Sequence, residues 1–428
     1  MSCPSSPRRR AASIAMAVAL AALAGCAMPP PPPPPPSPPS SAHGGQSSDA
    51  AAEAGLQQKA FERWVTDFRT RARAAGIDEA TLNVAFAEVR YLPRVVELDR
   101  AQPEYTRTVW SYLDSAVSAQ RVALGQERWA QYRSDIDAAA ARFGVGPAIL
   151  VAIWGIESNY GSNFGSIPTI DALATLGFDG RREAWAREQL LAALRILQSG
   201  DIERPKMIGS WAGAMGQTQF LPSVYLGYAV DADGDGRRDI WGSIADAMAS
   251  TANFLARSGW RADQPWGVEV RLPPGFDLAR AVERQPAAQW AAEGVQAHDG
   301  APLPPFAAAT VLLPAGARGP AFLVGPNFQV LLRYNNSTSY ALAVGLLAQR
   351  LAGGPGVQAA WPRDLVPLSS QQLKALQTAL NQRGFDSGAP DGVMGPNTGA
   401  ALRRYQSSVG LPPDGYPTVE LLQRLQGP

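Results

Sequence analysis

The sequence predicts a mainly α-helical protein with a small β insertion and a C-terminal module of three helices. Apolar residues recur three and four positions apart through most of residues 57–197, which is the period of an amphipathic helix. From about residue 266 to 330, short runs rich in Val and Leu lie between prolines and glycines and indicate strands. Three further helical patterns follow from about residue 368, separated by glycine-containing turns.

The composition narrows the possible functions. A chain of 428 residues with 46% hydrophobic residues is long enough for two or three domains that each bury a core. A formal net charge of +1 argues against a dedicated nucleic-acid-binding protein, which needs a basic excess to neutralise phosphates. Cys3 and Cys26 are the only cysteines and there are two histidines, so thiolate metal sites and histidine-based catalysis are nearly excluded. Any catalysis therefore depends on carboxylates.

Residues 1–25 have the pattern of a secretion signal. Arg8–Arg10 precede an apolar run of about a dozen residues, which is too short to span a bilayer. The run ends in Leu-Ala-Gly-Cys, which resembles a bacterial lipobox and implies cleavage before Cys26 and lipidation of that residue. Ala27 after the cysteine implies the periplasmic face of the outer membrane. The alternative is an ordinary signal peptide with a chance cysteine.

The remaining chain divides into four segments. Residues 26–55 are proline-rich and predict an extended, semi-rigid spacer. Residues 56–355 predict one body that contains the β insertion at about 266–330. A second linker, 356–367, leads into the module of residues 368–428.

One glutamate occupies an unusual position in the body. Within "VGPAILVAIWGIESNYG", Pro147 suits the first turn of a helix, and Leu150, Ile153, Trp154 and Glu157 share one face. A carboxyl group on an apolar face has a raised pKa, as a general acid working near neutrality requires. The alternative is a glutamate at a helix end that pairs with an arginine.

A second segment, "IGSWAGAMGQTQFLPS", combines small residues with neutral polar side chains. Its glycines and alanines let a ligand or another segment approach the backbone. Ser210, Gln217 and Gln219 supply neutral hydrogen-bonding groups that would suit a sugar polymer. Aromatic faces would complete such a site, and the candidates are Trp154, Tyr160, Phe220 and Tyr225. The alternative is close helix packing through the small residues.

A third segment, "LLRYNNSTSYALAV", lies between the β insertion and the helix that follows it. Tyr334, Asn335 and Tyr340 either line a groove or belong to the cap of that helix.

Together these segments resemble the membrane-bound lytic transglycosylases of the B type. The shared motifs are Glu-Ser-X-Tyr-Gly from Glu157, Gly-Ser-X-Ala-Gly-Ala-Met-Gly-Gln-X-Gln-Phe from Gly209, and Arg-Tyr-Asn from Arg333, and the resemblance spans about residues 61–351. It implies a lysozyme-like helical core with an N-terminal helical part. It also implies that Glu157 acts as acid and then base. Substrate-binding residues implied by the resemblance are Ser210, Gln219, Tyr334, Asn335, Tyr340, Arg181 and Arg182.

A single carboxylate suits cleavage without water. Glycosidases normally use two carboxylates, and the three motifs contain no second acid. The resemblance implies that Glu157 cleaves the MurNAc-GlcNAc β-1,4 bond of peptidoglycan strands and that the C6 hydroxyl of MurNAc closes a 1,6-anhydro ring. A hydrolytic muramidase with a second acid is one alternative, and its candidates are Asp171, Asp179 and Glu183. The other is a non-catalytic peptidoglycan-binding lipoprotein. A monomer is expected.

The segment "DADGDGRRDIWGSIADA" resembles a calcium loop. Acidic residues stand at positions 1, 3, 5 and 9 of the pattern, with glycine at position 6. Gly242 takes the place of the usual glutamate at position 12, and Asp246 would replace it, as in related transglycosylases. The predicted ligands of a structural Ca²⁺ are Asp231, Asp233, Asp235, the backbone carbonyl of Arg237, Asp239 and Asp246. The alternative is an acidic turn without an ion.

The last segment resembles a small peptidoglycan-binding module. Its two Asp-Gly pairs, at Asp391 and Asp414, predict turns between helices. The predicted core residues are Leu373, Leu376, Leu380, Leu402, Tyr405 and Leu421.

Overall fold

A computed structural model describes residues 46–101 and 107–427. The predicted signal peptide, Cys26 and residues 26–45 of the proline-rich spacer lie outside these residues. The last ten residues of the predicted spacer, 46–55, are not extended, because the first helix begins at Gln46. Within the described ranges, no single helix has the length and apolar composition of a membrane span. One bent pair, Arg133–Phe143 with Pro147–Ser158, meets those two criteria only when its helices are joined.

The body consists of fourteen α-helices in the described ranges, and the mainly α-helical fold class is confirmed. The helices are α1 (Gln46–Ala74), α2 (Glu79–Phe86), α3 (Pro93–Arg100), α4 (Val109–Ala116), α5 (Ala119–Gln131), α6 (Arg133–Phe143), α7 (Pro147–Ser158), α8 (Thr169–Asp179), α9 (Glu183–Gln198), α10 (Pro222–Tyr228), α11 (Ile244–Arg257), α12 (Ala287–Ala292), α13 (Pro326–Tyr334) and α14 (Thr338–Leu351).

Six short strands accompany them. They are β1 (Ile167–Pro168), β2 (Ile208–Gly209), β3 (Gly267–Arg271), β4 (Gln296–Ala297), β5 (Thr310–Leu312) and β6 (Ala321–Val324). β1 and β2 form an antiparallel ribbon. The other four form an antiparallel sheet in the order β4-β3-β6-β5.

Helix α7 lies in the centre of the body. All six residues from Ile149 to Trp154 are buried, and the helix packs against α5, α6, α11 and α14. A helix that is apolar on all sides is stable only when it is surrounded by protein. The helix ends at Asn159, which adopts a left-handed conformation with φ of 48°. Its last turn therefore holds Glu157 inside the protein rather than at the surface.

The β insertion is confirmed, with one correction. The last of the Val- and Leu-rich runs of this region, "PAFLVGPNFQVLL", forms a strand only over Ala321–Val324. Pro326 then begins α13, because proline suits the first turn of a helix and cannot continue a central strand. The sheet packs on its own small core, which includes Trp290 and Phe306.

The C-terminal module is a bundle of three helices, α15 (Ser370–Gln382), α16 (Pro396–Ser408) and α17 (Val419–Gln426), as predicted. Its core contains all six residues named from the sequence. The module contacts the body through Asp414, whose Oδ2 accepts a hydrogen bond from the backbone N–H of Ala317 at 2.9 Å.

The linker before this module is attached to the body along its length. The carboxylate of Glu269 accepts hydrogen bonds from the backbone N–H groups of Gln358 and Ala359 at 2.8 and 2.7 Å. Arg363 forms a two-point ion pair with Asp114, at 2.7 and 2.9 Å. These contacts hold the linker on the surface of both the sheet and α4.

Candidate active site

Glu157 is a buried carboxyl group in the last turn of α7. Its side chain is enclosed, with 8% of the residue exposed, and Tyr340 donates a hydrogen bond to its Oε1 at 2.6 Å. Oε2 has no hydrogen-bond partner among the described residues. Burial raises the pKa of Glu157 to about 7, and the Tyr340 hydrogen bond offsets part of that rise. At neutral pH the group is therefore poised between its acid and its base forms.

Three tyrosines surround this carboxyl group. The rings of Tyr334 and Tyr340 lie parallel with centroids 6.3 Å apart, and the Tyr334 hydroxyl donates to the carbonyl oxygen of Thr218 at 2.8 Å. Tyr112, from α4, has a pKa raised to about 12 by burial and by the nearby charge of Glu157. Sequence reasoning missed Tyr112, because α4 has no local feature that distinguishes it from an ordinary amphipathic helix.

The glycine-rich segment forms a tight loop at the end of β2. The backbone N–H of Ser210 donates to the carbonyl oxygen of Ala214 at 2.8 Å, and Ser210 Oγ accepts from the N–H of Ala214 at 3.1 Å. Gly213 adopts a φ of 79°, which favours glycine, and a Cβ there would lie 2.6 Å from Leu173. The small residues thus serve close packing, and Ser210 stabilises the loop.

The two glutamines of this segment have different roles. Gln217 joins two parts of the core: its Oε1 accepts from the indole N–H of Trp154 at 2.8 Å, and its Nε2 donates to the carbonyl oxygen of Trp241 at 3.0 Å. Both polar atoms of its side-chain amide therefore form hydrogen bonds within the protein, contrary to the expectation that the amide faces a sugar. Gln219 lines the cavity described below while its Nε2 donates to the carbonyl oxygens of Phe164 and Gly216, both at 2.9 Å.

The expected aromatic faces are mostly core residues. Trp154, Tyr160 and Tyr225 are buried, and the Tyr160 hydroxyl donates to the carbonyl oxygen of Arg121 at 2.9 Å. Their rings are covered by protein on every side and cannot stack on a sugar. Of the four, Phe220 does line the cavity, together with rings that sequence reasoning missed, namely Trp185, Tyr228 and Phe254.

A cavity of about 840 Å³ lies next to Glu157. Its walls include four predicted site residues, which are Glu157, Gln219, Tyr334 and Asn335. Asn335 Oδ1 is buried and finds no hydrogen-bond partner in the described part of the chain. A buried acceptor of this kind is costly unless a ligand satisfies it. The volume suits an oligosaccharide segment rather than a single small ion.

The predicted arginine pair lies elsewhere. Arg181 contacts Asp99 through its Nε at 2.5 Å and its Nη2 at 2.6 Å. Arg182 lies 3.6 Å from the same carboxylate and its guanidinium stacks 3.8 Å above the Trp185 ring. Asp99 is buried and needs a counter-ion, which explains this arrangement. Neither arginine lines the cavity, although Trp185 does.

The acids considered as a second catalytic group are all paired with arginine. Asp171 binds Arg204, Asp179 binds Arg100 at 2.6 Å, and Glu183 binds Arg187 at 2.7 Å. None of the three lines the cavity. The carboxylates on its walls are Glu157 and the exposed Glu188.

The acidic loop brings three of its carboxylates together. One oxygen from each of Asp231, Asp233 and Asp246 lies within 4.8 Å of the others. Asp246 is completely buried, and its Oδ1 and Oδ2 accept hydrogen bonds from the backbone N–H groups of Ala232 and Asp239, both at 2.7 Å. Asp235 and Asp239 lie outside this group, and their carboxylates accept backbone N–H groups of the loop at 2.8 to 2.9 Å. Three hard oxygen donors around a buried negative charge fit a calcium ion.

Comparisons with known proteins agree with this architecture. Residues 60–349 match the family described as Transglycosylase SLT domain, and residues 369–425 match the Putative peptidoglycan binding domain. Membrane-bound lytic murein transglycosylase B of Escherichia coli (strain K12) is 33% identical over 293 residues, which cover 65% of this chain and 79% of that protein.

Two solved structures are informative. SltB3 from Pseudomonas aeruginosa, in complex with NAG-anhNAM-pentapeptide, is 54% identical with a TM-score of 0.83, and the match covers 86% of this chain and 99% of that one. The Escherichia coli lytic transglycosylase Slt35 in complex with calcium is 31% identical with a TM-score of 0.58, over 69% of this chain and 93% of that one.

Proposed function

The chain belongs to the Transglycosylase SLT domain family and is a lytic transglycosylase acting on peptidoglycan, and we propose that Glu157 is its single acid and base. The observation that supports this most strongly is the state of Glu157. It is buried beside a large cavity, its pKa is about 7, and its Oε2 is free of protein partners within the described residues. Such a carboxyl group can donate a proton and take one back at neutral pH.

In the first step Glu157 protonates the oxygen of the MurNAc-GlcNAc β-1,4 bond. The bond from that oxygen to C1 of MurNAc breaks, GlcNAc leaves as an alcohol, and the acetamido oxygen of MurNAc supports the positive charge at C1. The Glu157 carboxylate then removes the proton of the MurNAc C6 hydroxyl. O6 bonds to C1 and forms the 1,6-anhydro ring, and Glu157 ends protonated, as it began.

Neighbouring side chains position the sugar in this proposal. Asn335 Oδ1, which has no partner in the described chain, would accept the N–H of the acetamido group. The Tyr340 hydroxyl contacts Glu157 Oε1 and keeps the carboxyl group oriented in both of its forms. Tyr334, packed against Tyr340, forms the adjoining wall.

The products of digestion test the proposal directly. Purified peptidoglycan digested with the full-length protein should yield muropeptides that end in 1,6-anhydro-MurNAc, as measured by mass spectrometry. A hydrolytic muramidase is the second candidate, because Glu188 also lines the cavity and is available as a second acid. Reducing MurNAc ends without anhydro ends would support that candidate. An absence of any soluble product would indicate a non-catalytic wall-binding protein.

We also propose that the acidic loop binds a structural Ca²⁺. Asp231, Asp233 and Asp246 would hold it, with further ligands from the loop. A relative, Slt35, was solved in complex with calcium, which supports this assignment. The ion would offset most of the negative charge of the three carboxylates and connect the loop to α11, which contains Asp246.

Calcium is expected to raise the thermal stability of the protein. At a Ca²⁺ concentration about 100 times the dissociation constant, the ion should add about 2.7 kcal/mol to the free energy of unfolding. The unfolding midpoint, measured by calorimetry with Ca²⁺ and with a chelator, should therefore differ by several degrees. Asp233→Asn should abolish the difference, whereas Asp263→Asn, an exposed acid outside the loop, should retain it. An identical midpoint with and without Ca²⁺ would refute the site.

Finally, we propose that lipid on Cys26 anchors the enzyme to the periplasmic face of the outer membrane. The Escherichia coli relative is described as membrane-bound, and the Leu-Ala-Gly-Cys sequence supports lipidation. Mass spectrometry of the mature N-terminus should find an acylated cysteine. A mature chain that begins at another residue would rule the anchor out.

A further inference from the structure

Helix α4 lies between the C-terminal linker and Glu157. Trp110 and Asp114 are four residues apart and therefore lie on one side of the helix. Tyr112 is two residues from each of them, about 200° around the axis of an α-helix, and so lies on the opposite side. The linker of residues 356–367 contacts the first side, and Glu157 lies near the second. A displacement of α4 would therefore move Tyr112 relative to Glu157.

The linker contacts α4 through two side chains. The ring centres of Trp361 and Trp110 are 6.2 Å apart, and Trp110 is 5% exposed. Two residues later, Arg363 forms its two-point ion pair with Asp114, at 2.7 and 2.9 Å. Two parallel N–H···O bonds fix the direction of a contact as well as its distance. The linker therefore holds the side of α4 that faces away from Glu157 at two positions one helical turn apart.

The linker is attached to the β insertion on both sides of these contacts. Before them, the carboxylate of Glu269 accepts the backbone N–H groups of Gln358 and Ala359. After them, Asp364 pairs with Arg318 at 2.9 and 2.8 Å. The segment from Ala359 to Asp364 reaches at most about 18 Å when fully extended, so the linker cannot move far from α4 while both attachments hold.

The opposite side of α4 carries the tyrosine beside Glu157. Burial raises the pKa of Tyr112 to about 12, and the charge of Glu157 adds to the rise. Burial also raises the pKa of Tyr340, and Glu157 and Tyr112 add to that rise. Such mutual effects show that these side chains form one cluster. In the described residues the Tyr112 hydroxyl forms no hydrogen bond, so the packing of α4 sets its position.

We propose that Trp361 and Arg363 are positioning residues, which hold α4 so that Tyr112 stays beside Glu157. The inference rests on the proposed role of Glu157 as acid and base. It makes the linker a part of the catalytic body as well as a connection to the C-terminal module.

This role should affect kcat more than KM. A group that transfers protons has to be held within about 0.5 Å of its productive position, and the packing around it sets that position. A loosened α4 should therefore slow the proton transfers of Glu157. Within the described chain, the residues that line the cavity belong neither to α4 nor to the linker. Binding of the glycan in the cavity should therefore change little.

The test measures kcat and KM separately. Full-length variants are assayed on soluble peptidoglycan oligosaccharides, and the anhydro ends formed are quantified by mass spectrometry. Arg363→Asp replaces the attraction to Asp114 with a repulsion and should lower kcat about threefold to tenfold. Trp361→Ala uncovers the Trp110 ring and should lower kcat at least as much. KM should change by less than about twofold in both variants.

Exchange of the two charges distinguishes positioning from any other effect of the single variants. Asp114→Arg alone should also lower kcat, because it places two arginines opposite each other. The double variant with Asp114→Arg and Arg363→Asp forms the ion pair again in the reverse direction and should return kcat to within about twofold of the wild-type value. A double variant that stays as slow as Arg363→Asp would overturn the inference.

Arg94→Asp is the matched control. Arg94 pairs with Glu97 at 2.8 Å, and the side chains of this pair are 71% and 61% exposed, compared with 58% and 55% for Arg363 and Asp114. Both residues of the control pair lie on α3, so the variant should leave kcat within about twofold of the wild-type value.

Two further results would overturn the inference while leaving the proposed function intact. One is a wild-type kcat in both Arg363→Asp and Trp361→Ala. The other is an increase of KM in place of the decrease of kcat, which would assign the linker to substrate binding. An absence of anhydro ends from the wild-type enzyme would instead overturn the proposed function. Arg363 and Asp114 are exposed, so their variants should fold with about the wild-type unfolding midpoint.

Discussion

Glu157→Gln is expected to lower kcat/KM for peptidoglycan cleavage by about 100- to 10,000-fold, the range typical for loss of a general acid-base group. The amide has nearly the same shape as the carboxyl group, so the core around α7 should remain intact. It cannot protonate the glycosidic oxygen or remove the proton of the C6 hydroxyl. Release of anhydro-muropeptides from purified peptidoglycan measures the loss. Binding to insoluble peptidoglycan should persist, because the C-terminal module is separate from the cavity.

Glu188→Gln is the matched control in the same cavity. Because Glu188 is exposed and takes no part in the proposed mechanism, its replacement should change kcat/KM by no more than about threefold, less than one tenfold step of 1.4 kcal/mol. Comparable losses in both variants would indicate a two-carboxylate mechanism and favour the muramidase. Full activity in Glu157→Gln would show that the catalytic group lies elsewhere.

The pH profile should reflect the raised pKa of the same residue. The acid form of Glu157 starts the reaction, and its fraction falls tenfold for each pH unit above a pKa of about 7. Hence kcat/KM should decline on the alkaline side of neutrality. A glutamate of ordinary pKa would instead lose its acid form above about pH 4.5.

Trp154→Ala is expected to lower the free energy of unfolding by about 3–5 kcal/mol, the usual cost of truncating a large buried aromatic residue. Trp154 is 1% exposed, and its ring packs edge-on against Tyr132 and Tyr160 at 5.8 and 5.6 Å. The substitution leaves a cavity in the core and removes the hydrogen bond to Gln217. Urea unfolding followed by tryptophan fluorescence or circular dichroism measures the change.

Trp154→Phe separates the contribution of the buried ring to stability from that of the hydrogen bond to Gln217. It retains most of the ring but leaves Gln217 Oε1 without its donor, and this should cost about 1–3 kcal/mol. If Trp154 were instead a stacking surface for sugar, both variants would raise KM without lowering stability. That result would contradict its assignment to the core.

Much of the fold follows from local patterns in the sequence. The structure contains the helices that the amphipathic period predicts and the β insertion that the prolines and glycines delimit. It also contains the three predicted helices of the C-terminal module. The exception is instructive: the run after Val324 is rich in Val and Leu, which favour strands, yet Pro326 begins a helix there. A short apolar run does not distinguish a strand from a buried helix.

The sequence by itself determined that Glu157 lies on an apolar helix. The neighbouring residues of α7 are almost all apolar, and such a helix must be buried. Only the tertiary structure decided its partners. The packing of the helices places Tyr340 and Tyr112 beside the carboxyl group. It also joins the Gln217 amide to the Trp154 indole by a hydrogen bond. Arg181 pairs with Asp99 and does not line the cavity. The spacing of apolar residues along the chain predicts whether a side chain is buried. Which distant group satisfies its charge or hydrogen bonds depends on how the helices pack.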